Sequence, residues 1–237
     1  MSGSQRRQRT PNYNSKALVP SAKGKDSYRD ALRVPRGLGP ILPDAAVATL
    51  KWCNLSTFTN DGTTAWVVGN VVNYRVNNAY QPVNGAHQPY GWDQMAALYR
   101  YYKVIGCKMR FTPMNQQSSN AILLIRQVPV DENATMETTA IRFAMERPGT
   151  HVVCSQPGGG YPRSYTYDID IPRQLGITPE QFRADVSQYS AAVTAAPARY
   201  AYVQVGCAGS ATTSFLSVAV EIEYTIQYWQ RITQASS

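Results

Sequence analysis

The segment from residue 218 to residue 228 alternates apolar and polar side chains with a strict period of two. The apolar positions are Val218, Val220, Ile222, Tyr224, Ile226 and Tyr228. The positions between them from 221 onward are polar: Glu221, Glu223, Thr225 and Gln227. Successive side chains of a β-strand point to opposite faces of its sheet, so this pattern predicts a strand with one buried and one wet face. A strand of this kind requires a second apolar layer to cover it.

Further β-branched and aromatic segments supply that layer. Together with Phe215–Arg231, the predicted strands are Ala45–Thr59, Thr63–Val76, Tyr102–Thr112, Ala121–Val130, Tyr165–Ile171 and Tyr200–Gly206. The turn sequence Asn60-Asp61-Gly62 predicts a hairpin between the first two, and the polar loop Pro113–Asn120 separates the next pair. These segments indicate an all-β chain of about eight antiparallel strands.

Short helices are predicted in the connections. Asp93 is a candidate cap for a helix over Gln94–Tyr101, and Thr135–Arg147 has apolar residues at helical spacing. Thr178-Pro179-Glu180-Gln181 is a capping box that opens a helix to about Val186. Strands do not alternate with long helices, which argues against a parallel α/β sheet. The predicted fold is an eight-stranded antiparallel jelly-roll sandwich with short helices in its connecting loops.

Charge is concentrated near the N-terminus. Residues 1–40 contain two acids and nine basic residues, for a net +7 of the chain's +8. The basic residues are Arg6, Arg7, Arg9, Lys16, Lys23, Lys25, Arg29, Arg33 and Arg36. This segment is polar and lacks apolar periodicity, so we predict a largely disordered arm over residues 1–43 and a folded domain over residues 44–237.

A basic arm on a nearly neutral body points to a polyanionic partner. Arg6, Arg7 and Arg9 form a compact cluster suited to phosphate neutralisation with counterion release, which is independent of base sequence. A solubilising or nuclear-import tail is the alternative reading of the same residues. Lys108 and Arg110 share the polar face of one predicted strand and are further candidates for nucleic-acid contact, although a solvated or ion-paired face explains them equally well.

No catalytic, metal or cofactor site is predicted. The chain has two His residues and no CxxC pattern, and its cysteines lie far apart, so we expect four reduced thiols packed in or near the core. The same-face pairs Asp168 with Asp170 and Glu221 with Glu223 could bind a divalent cation, but solvated or subunit-facing strand positions are the simpler reading. No apolar run approaches the length of about 20 residues that a membrane-spanning helix needs, so no membrane partner is expected.

Three segments, taken in their order along the chain, resemble segments of one known protein family. The first is His87-Gln88-Pro89-Tyr90-Gly91-Trp92-Asp93-Gln94, which leads through a short helix into Tyr101-Tyr102-Lys103-Val104-Ile105-Gly106-Cys107-Lys108. The second is Tyr165–Gly176 and the third is Val218–Trp229. In this order they are similar to segments of the coat proteins of circular Rep-encoding single-stranded DNA viruses, which are circovirus-like.

The resemblance implies a jelly-roll capsid subunit that assembles as a homo-oligomer of about sixty copies in a closed icosahedral shell. It further implies a basic arm inside the shell on a single-stranded genome, with DNA favoured over RNA, and localisation to the virion and, during assembly, to the host nucleus. A host receptor would be a further partner.

Other readings remain open at this stage. Small RNA virus coats share the fold, and an OB-type nucleic-acid-binding barrel is a non-viral alternative that would interleave basic and aromatic residues on one strand face. An enzyme on a cupin-type jelly roll would need a His-rich metal site.

Overall fold

The computed structural model describes residues 43–60, 65–128, 141–155, 158, 163–211 and 214–232. The strands are β1 Ala45–Thr59, β2 Val71–Arg75, β3 Tyr99–Met114, β4 Ala121–Val128, β5 Thr150–Ser155, β6 Tyr165–Ile169, β7 Ala191–Ala192, β8 Tyr202–Gly209 and β9 Phe215–Arg231. The helices are α1 Trp92–Ala96, α2 Ile141–Glu146, α3 Ile171–Gln174, α4 Pro179–Ala184 and α5 Val186–Tyr189.

The strands form two antiparallel sheets. The first sheet has the order β1-β9-β3-β6, with the two-residue strand β7 also paired to β3, and the second has the order β2-β8-β4-β5. The chain stays within one sheet only from β4 to β5 and from β6 to β7, and it passes to the other sheet at each of the remaining connections. Two antiparallel sheets connected in this way, each with four main strands, form a jelly-roll sandwich, which confirms the predicted fold class.

The predicted hairpin around Asn60-Asp61-Gly62 is wrong. Strand β1 pairs along its whole length with β9, whereas β2 pairs with β8 in the other sheet. Only an isolated bridge joins Asn60 to Val68, and a turn with positive φ at Trp66 keeps the second strand from starting before Val71. The long apolar strand β9 offers β1 a far larger ladder than a local hairpin could.

Strands β3 and β4 likewise lie in different sheets, so the loop between them does not close a hairpin. Strand β5 was not predicted from the sequence, because its six residues lack an apolar alternation. Strand β6 ends at Ile169, two residues earlier than predicted, because Asp170 caps helix α3.

Helix α1 begins one residue after Gly91, whose φ of 89° is readily available only to glycine, and ends at Ala96. Asp93 therefore lies in the first turn and does not cap the helix with its side chain, and the predicted end at Tyr101 is wrong because β3 begins at Tyr99. Of the predicted helix over 135–147, residues 135–140 lie outside the described residues, and α2 occupies Ile141–Glu146.

The capping box of α4 is confirmed. The Thr178 hydroxyl accepts from the backbone N–H of Gln181 at 3.2 Å, and the Gln181 side chain accepts from the backbone N–H of Thr178 at 3.0 Å. The helix ends at Ala184 because Asp185 caps the following helix α5 through the backbone N–H groups of Ser187 and Gln188.

The core between the sheets is rich in aromatic residues. The apolar face predicted for β9 is confirmed, since all six of its alternating residues from Val218 to Tyr228 are fully buried. Trp92 meets Tyr102 edge-on at a centroid distance of 4.8 Å and an interplanar angle of 87°. Other large buried side chains are Trp52, Tyr74, Tyr99, Phe58 and Phe111.

The four cysteines are free thiols, but only two are packed as predicted. Cys107 and Cys207 are buried, and burial raises the pKa of Cys207 to about 12. Cys53 and Cys154 are exposed, which corrects the expectation of four core thiols. Cys53 lies at an outward-facing position of β1, and Cys154 lies on the edge strand β5.

Candidate nucleic-acid interface

Lys108 and Arg110 project from the outer face of the first sheet. Their neighbours on β3, namely Cys107, Met109 and Phe111, are buried in the core, so the alternating side chains face outward. About half of each basic side chain is exposed. The structure thus places the two predicted residues together on one accessible face.

The strand register brings acidic residues opposite these cations. Glu221 on the central strand β9 lies within 2.6 Å of the Lys51 amine and 3.7 Å of the Arg110 guanidinium. Asp168 on β6 lies 3.8 Å from the Lys108 amine. Cations and carboxylates therefore compensate one another across this part of the face.

The pKa values of the central ion pair shift in the directions that mutual stabilisation requires. The hydrogen bond with Lys51 holds the pKa of the Glu221 carboxyl below its usual value, and the same bond raises the pKa of Lys51. Both groups are charged at neutral pH, so the pair reduces the positive potential that Lys108 and Arg110 offer to a phosphate backbone.

An aromatic pair lies on the same outer face, nearer the start of β1. Tyr101 and Trp229 are direct partners in the ladder between β3 and β9, and their rings stack at a centroid distance of 5.9 Å and an interplanar angle of 17°. Beside them, a cleft of about 600 Å³ is lined by Lys103, Phe182 and Arg183. No sequence signal pointed to this pair as a site.

Lys103 occupies the inner wall of that cleft and is buried. Its amine donates hydrogen bonds to the backbone carbonyl oxygens of Phe182 and, at 3.2 Å, Asp185. Burial lowers the pKa of Lys103 from its usual value, partly offset by Asp185. The residue fastens helix α4 to the outer face of the first sheet.

A second cavity, of about 790 Å³, lies between the ends of β4 and β6. Arg126, Arg147 and Arg173 line it together with Asp168 and Asp170. The two carboxylates of the predicted pair have different partners. Asp168 faces Lys108, whereas Asp170 accepts a hydrogen bond from the backbone N–H of Arg173 at the start of α3.

The nine basic residues predicted to bind nucleic acid, from Arg6 to Arg36, lie outside the described residues. Their contribution therefore stays a prediction from the sequence. Within the described ranges, no three His, Cys, Asp or Glu side chains gather as a metal site would require. His87 stacks on Trp52 and His151 packs against Tyr167, so both rings take part in aromatic contacts. Among the described residues, no helix combines the length and apolar character that crossing a bilayer requires.

Comparisons with known proteins give similarity to solved structures only. No protein-family model matches the sequence, and no curated protein does. The chain is similar to Desmodium yellow mottle tymovirus, with 12% identity, a TM-score of 0.45 and coverage of 100% of both chains. It is also similar to the BFDV capsid protein in its 60-mer form, with 15% identity, a TM-score of 0.44 and coverage of 83% of this chain and 100% of that one.

A third similar structure is a semi-empty virus-like particle of the giant freshwater prawn Macrobrachium rosenbergii nodavirus. The identity is 8%, the TM-score is 0.47, and the alignment covers 83% of this chain and 100% of the other. All three are virus particles or viral capsid proteins. At these values the likeness carries no argument about the activity of this chain, which has to be argued from its own residues.

Proposed function

We propose that this chain is a viral capsid protein that assembles into a small icosahedral shell and packages a single-stranded genome through its basic N-terminal arm. The proposal depends on two features found in the same chain. One is a jelly-roll sandwich whose first sheet has an accessible outer face in the described residues, and the other is a preceding segment, residues 1–40, with a net charge of +7. The order of the coat-protein-like motifs in the sequence supports the same reading.

A jelly roll suits shell assembly because its sheet edges, faces and loops can all become contacts between identical copies. Heterologous contacts close into a shell when their rotations close, and about sixty copies form the smallest complete icosahedral shell of one subunit type. The purified chain should therefore elute far above its mass of 26.2 kDa and show uniform spherical particles by negative-stain microscopy. A stable monomer at high concentration and moderate salt would contradict the proposal and favour a non-viral β-barrel protein.

Packaging is assigned to the arm, with the boundary between arm and shell domain near residues 43 and 44. With about sixty copies, nine basic residues per arm supply roughly 540 positive charges, which partly neutralise a genome of roughly one to two thousand nucleotides. Deleting residues 1–36 should leave the folded domain intact, because the described strands begin at Ala45. The absorbance ratio at 260 and 280 nm should fall strongly in particles made without the arm.

The arm experiment has a matched control. Replacing Arg6, Arg7 and Arg9 with Ala should reduce the packaged nucleic acid in part, whereas replacing the same three with Lys should retain it, because counterion release depends on charge. Binding should also weaken steeply with added salt. Equal nucleic-acid content in particles with and without the arm would assign the arm to nuclear import or another role.

Lys108 and Arg110 are proposed as secondary phosphate contacts. Because Asp168 and Glu221 already compensate them, replacing both with Gln should lower packaged nucleic acid less than the triple Arg replacement does. The measurement is the same absorbance ratio on intact particles.

A DNA genome is proposed from the motif order, and assembly in the host nucleus follows from that proposal. Nuclease digestion of nucleic acid extracted from particles distinguishes DNA from the alternative, an RNA virus coat with the same fold. Imaging of the full chain in host cells tests nuclear entry, which the Ala replacements at Arg6, Arg7 and Arg9 should impair. We propose no catalytic activity for the chain; a hydrolase activity that follows the pure protein and is lost on a point mutation would contradict this.

A further inference from the structure

The Tyr101–Trp229 pair differs from the buried aromatic contacts of the core. Its neighbours Tyr102 and Tyr228 are buried in the core, so the pair lies on the opposite, outer face of the first sheet. Tyr101 is 39% exposed and Trp229 is partly exposed. The rings are nearly parallel, whereas the buried pair of Trp92 and Tyr102 meets edge-on. The two rings thus form a stack at an accessible surface of the sheet.

The pair lies at the end of the first sheet where strand β1 begins. Ala45, the first residue of β1, is the ladder partner of Trp229, so the same row contains Ala45, Trp229 and Tyr101.

The surface next to the pair offers a cation. Gln227 lies two residues from Trp229 on the same face and lines the cleft together with the exposed side chain of Arg183. The other cation of the cleft, Lys103, is engaged by two backbone carbonyls. Arg183 is thus the cleft residue best placed to meet a phosphate.

We propose that Tyr101 and Trp229 form a base-stacking platform for single-stranded nucleic acid, with Arg183 as an adjacent phosphate contact. Every base has a π-face, so stacking on such a platform tolerates any sequence, and an unpaired strand presents bases that a duplex conceals. This inference deepens the proposed function and rests on it. It assigns to the open sheet face a contact that charge alone, largely compensated around Glu221, does not provide.

The test measures binding of a short oligothymidylate to the full-length chain over a range of salt concentrations. Trp229→Leu and Tyr101→Leu should each weaken binding about tenfold at every salt concentration, because stacking is lost while the phosphate contacts remain. Trp229→Phe should retain most of the affinity. Arg183→Gln should instead reduce the slope of log affinity against log salt by about one. Tyr90→Leu is the matched control, since Tyr90 is 92% exposed and belongs to no stacked pair in the described part of the chain.

Ultraviolet cross-linking of the unmodified chain to the same oligonucleotide supplies a readout that needs no variant. Cross-linked peptides containing Tyr101 or Trp229 are expected, and their absence overturns the platform. Unchanged affinity of the folded Leu variants for the oligonucleotide also overturns the platform. Leu variants that bind the oligonucleotide normally but no longer form particles overturn it too, and they would assign the pair to a contact between subunits. None of these results contradicts the capsid proposal, provided that the unmodified chain forms particles and its arm packages nucleic acid. Failure of the unmodified chain to form particles would contradict the capsid proposal itself.

Discussion

The two sheets of the sandwich share one core but differ in how deeply their outer faces are buried. In the first sheet, the outward residues of β9 such as Glu223 and Gln227 are exposed, and its pattern alternates along the strand. In the second sheet, the central strands β4 and β8 are buried on nearly every residue, on both faces. The second sheet therefore has no comparable open face along its centre.

The difference arises from what covers the second sheet. Leu124 and Ala208, on its outer face, pack against Val68 from the segment before β2 and against Ala144 of helix α2. On the first sheet, Lys103 is held beneath α4 while Tyr101, Lys108 and the residues around them stay accessible. Among the described residues, the chain thus covers the outer face of the second sheet more fully than that of the first.

The largest expected effect separates two leucines on the outer faces of the two sheets. Leu124→Ala should lower the free energy of unfolding by about 2 to 5 kcal/mol, because it opens a cavity beneath α2. Leu55→Ala, at a position 63% exposed on β1, should change it by less than about 0.5 kcal/mol. Urea unfolding of disassembled subunits measures both. Similar losses for the two variants would show that the first sheet is covered in the free subunit as well.

The difference in burial between the outer faces of the two sheets could be predicted from the sequence only in part. The alternation from Val218 to Tyr228 predicts a half-wet strand, and the bounds of β1 and β9 agree with the structure. The run Ala121–Ile125 is apolar without alternation, which is typical of a strand buried on both faces but does not indicate which segments cover it. Which strands pair depends on hydrogen bonds between segments that are far apart in the sequence. The local turn signal at Asn60-Asp61-Gly62 therefore predicted the wrong strand pairing.

The candidate site was less predictable for a geometric reason. A bulge in β3 between Val104 and Gly106 shifts the alternation by one residue. Tyr101 and Lys108 would lie on opposite faces of an unbroken strand, but the bulge puts both on the outer face. Trp229 joins them only through the register of β9, which no local pattern specifies.

The second prediction compares two lysines on the outer face of β3. Lys103→Met should lower the free energy of unfolding by about 1.5 to 3 kcal/mol, because the charged amine no longer satisfies the carbonyls of Phe182 and Asp185. Lys108→Met removes only an exposed ion pair and should change it by less than about 1 kcal/mol. Thermal unfolding of the variants at matched concentration gives the comparison. Equal effects would mean that α4 is not held to the sheet through Lys103.

The same variants differ in their response to alkaline pH. Burial lowers the pKa of Lys103 in the folded chain below its ordinary value of 10.5. Between the two pKa values the unfolded chain binds more protons than the folded one, so stability should rise with pH in that window. Lys103→Met should lose this contribution to the rise and Lys108→Met should keep it. A parallel series of unfolding curves over that window checks the sign.

The smallest expected effect concerns the ion pairs on the open face. Glu221 lies 2.6 Å from the Lys51 amine and 3.7 Å from the Arg110 guanidinium, whereas Glu223 has no ion pair within the described residues. Glu221→Gln should therefore lower the free energy of unfolding by at most about 1 kcal/mol at neutral pH, and Glu223→Gln by less. Salt should diminish the difference because the pairs are accessible to solvent.

The pH dependence of this last effect has the same sign as that of Lys103 but lies in the acid range, because folding lowers the pKa of both groups. The hydrogen bond with Lys51 holds the pKa of Glu221 below its usual value, so the stabilisation is present above the unfolded-state pKa and is lost as the pH falls through the folded-state pKa. The unmodified chain and Glu221→Gln should therefore converge in stability in acid. Divergence there would mean that Glu221 is stabilised by burial and packing, which would make the first sheet's outer face resemble that of the second. Convergence would mean that Glu221 contributes to stability only through its charge. Lys51 and Arg110 could then exchange Glu221 for a phosphate with little loss in the free energy of unfolding.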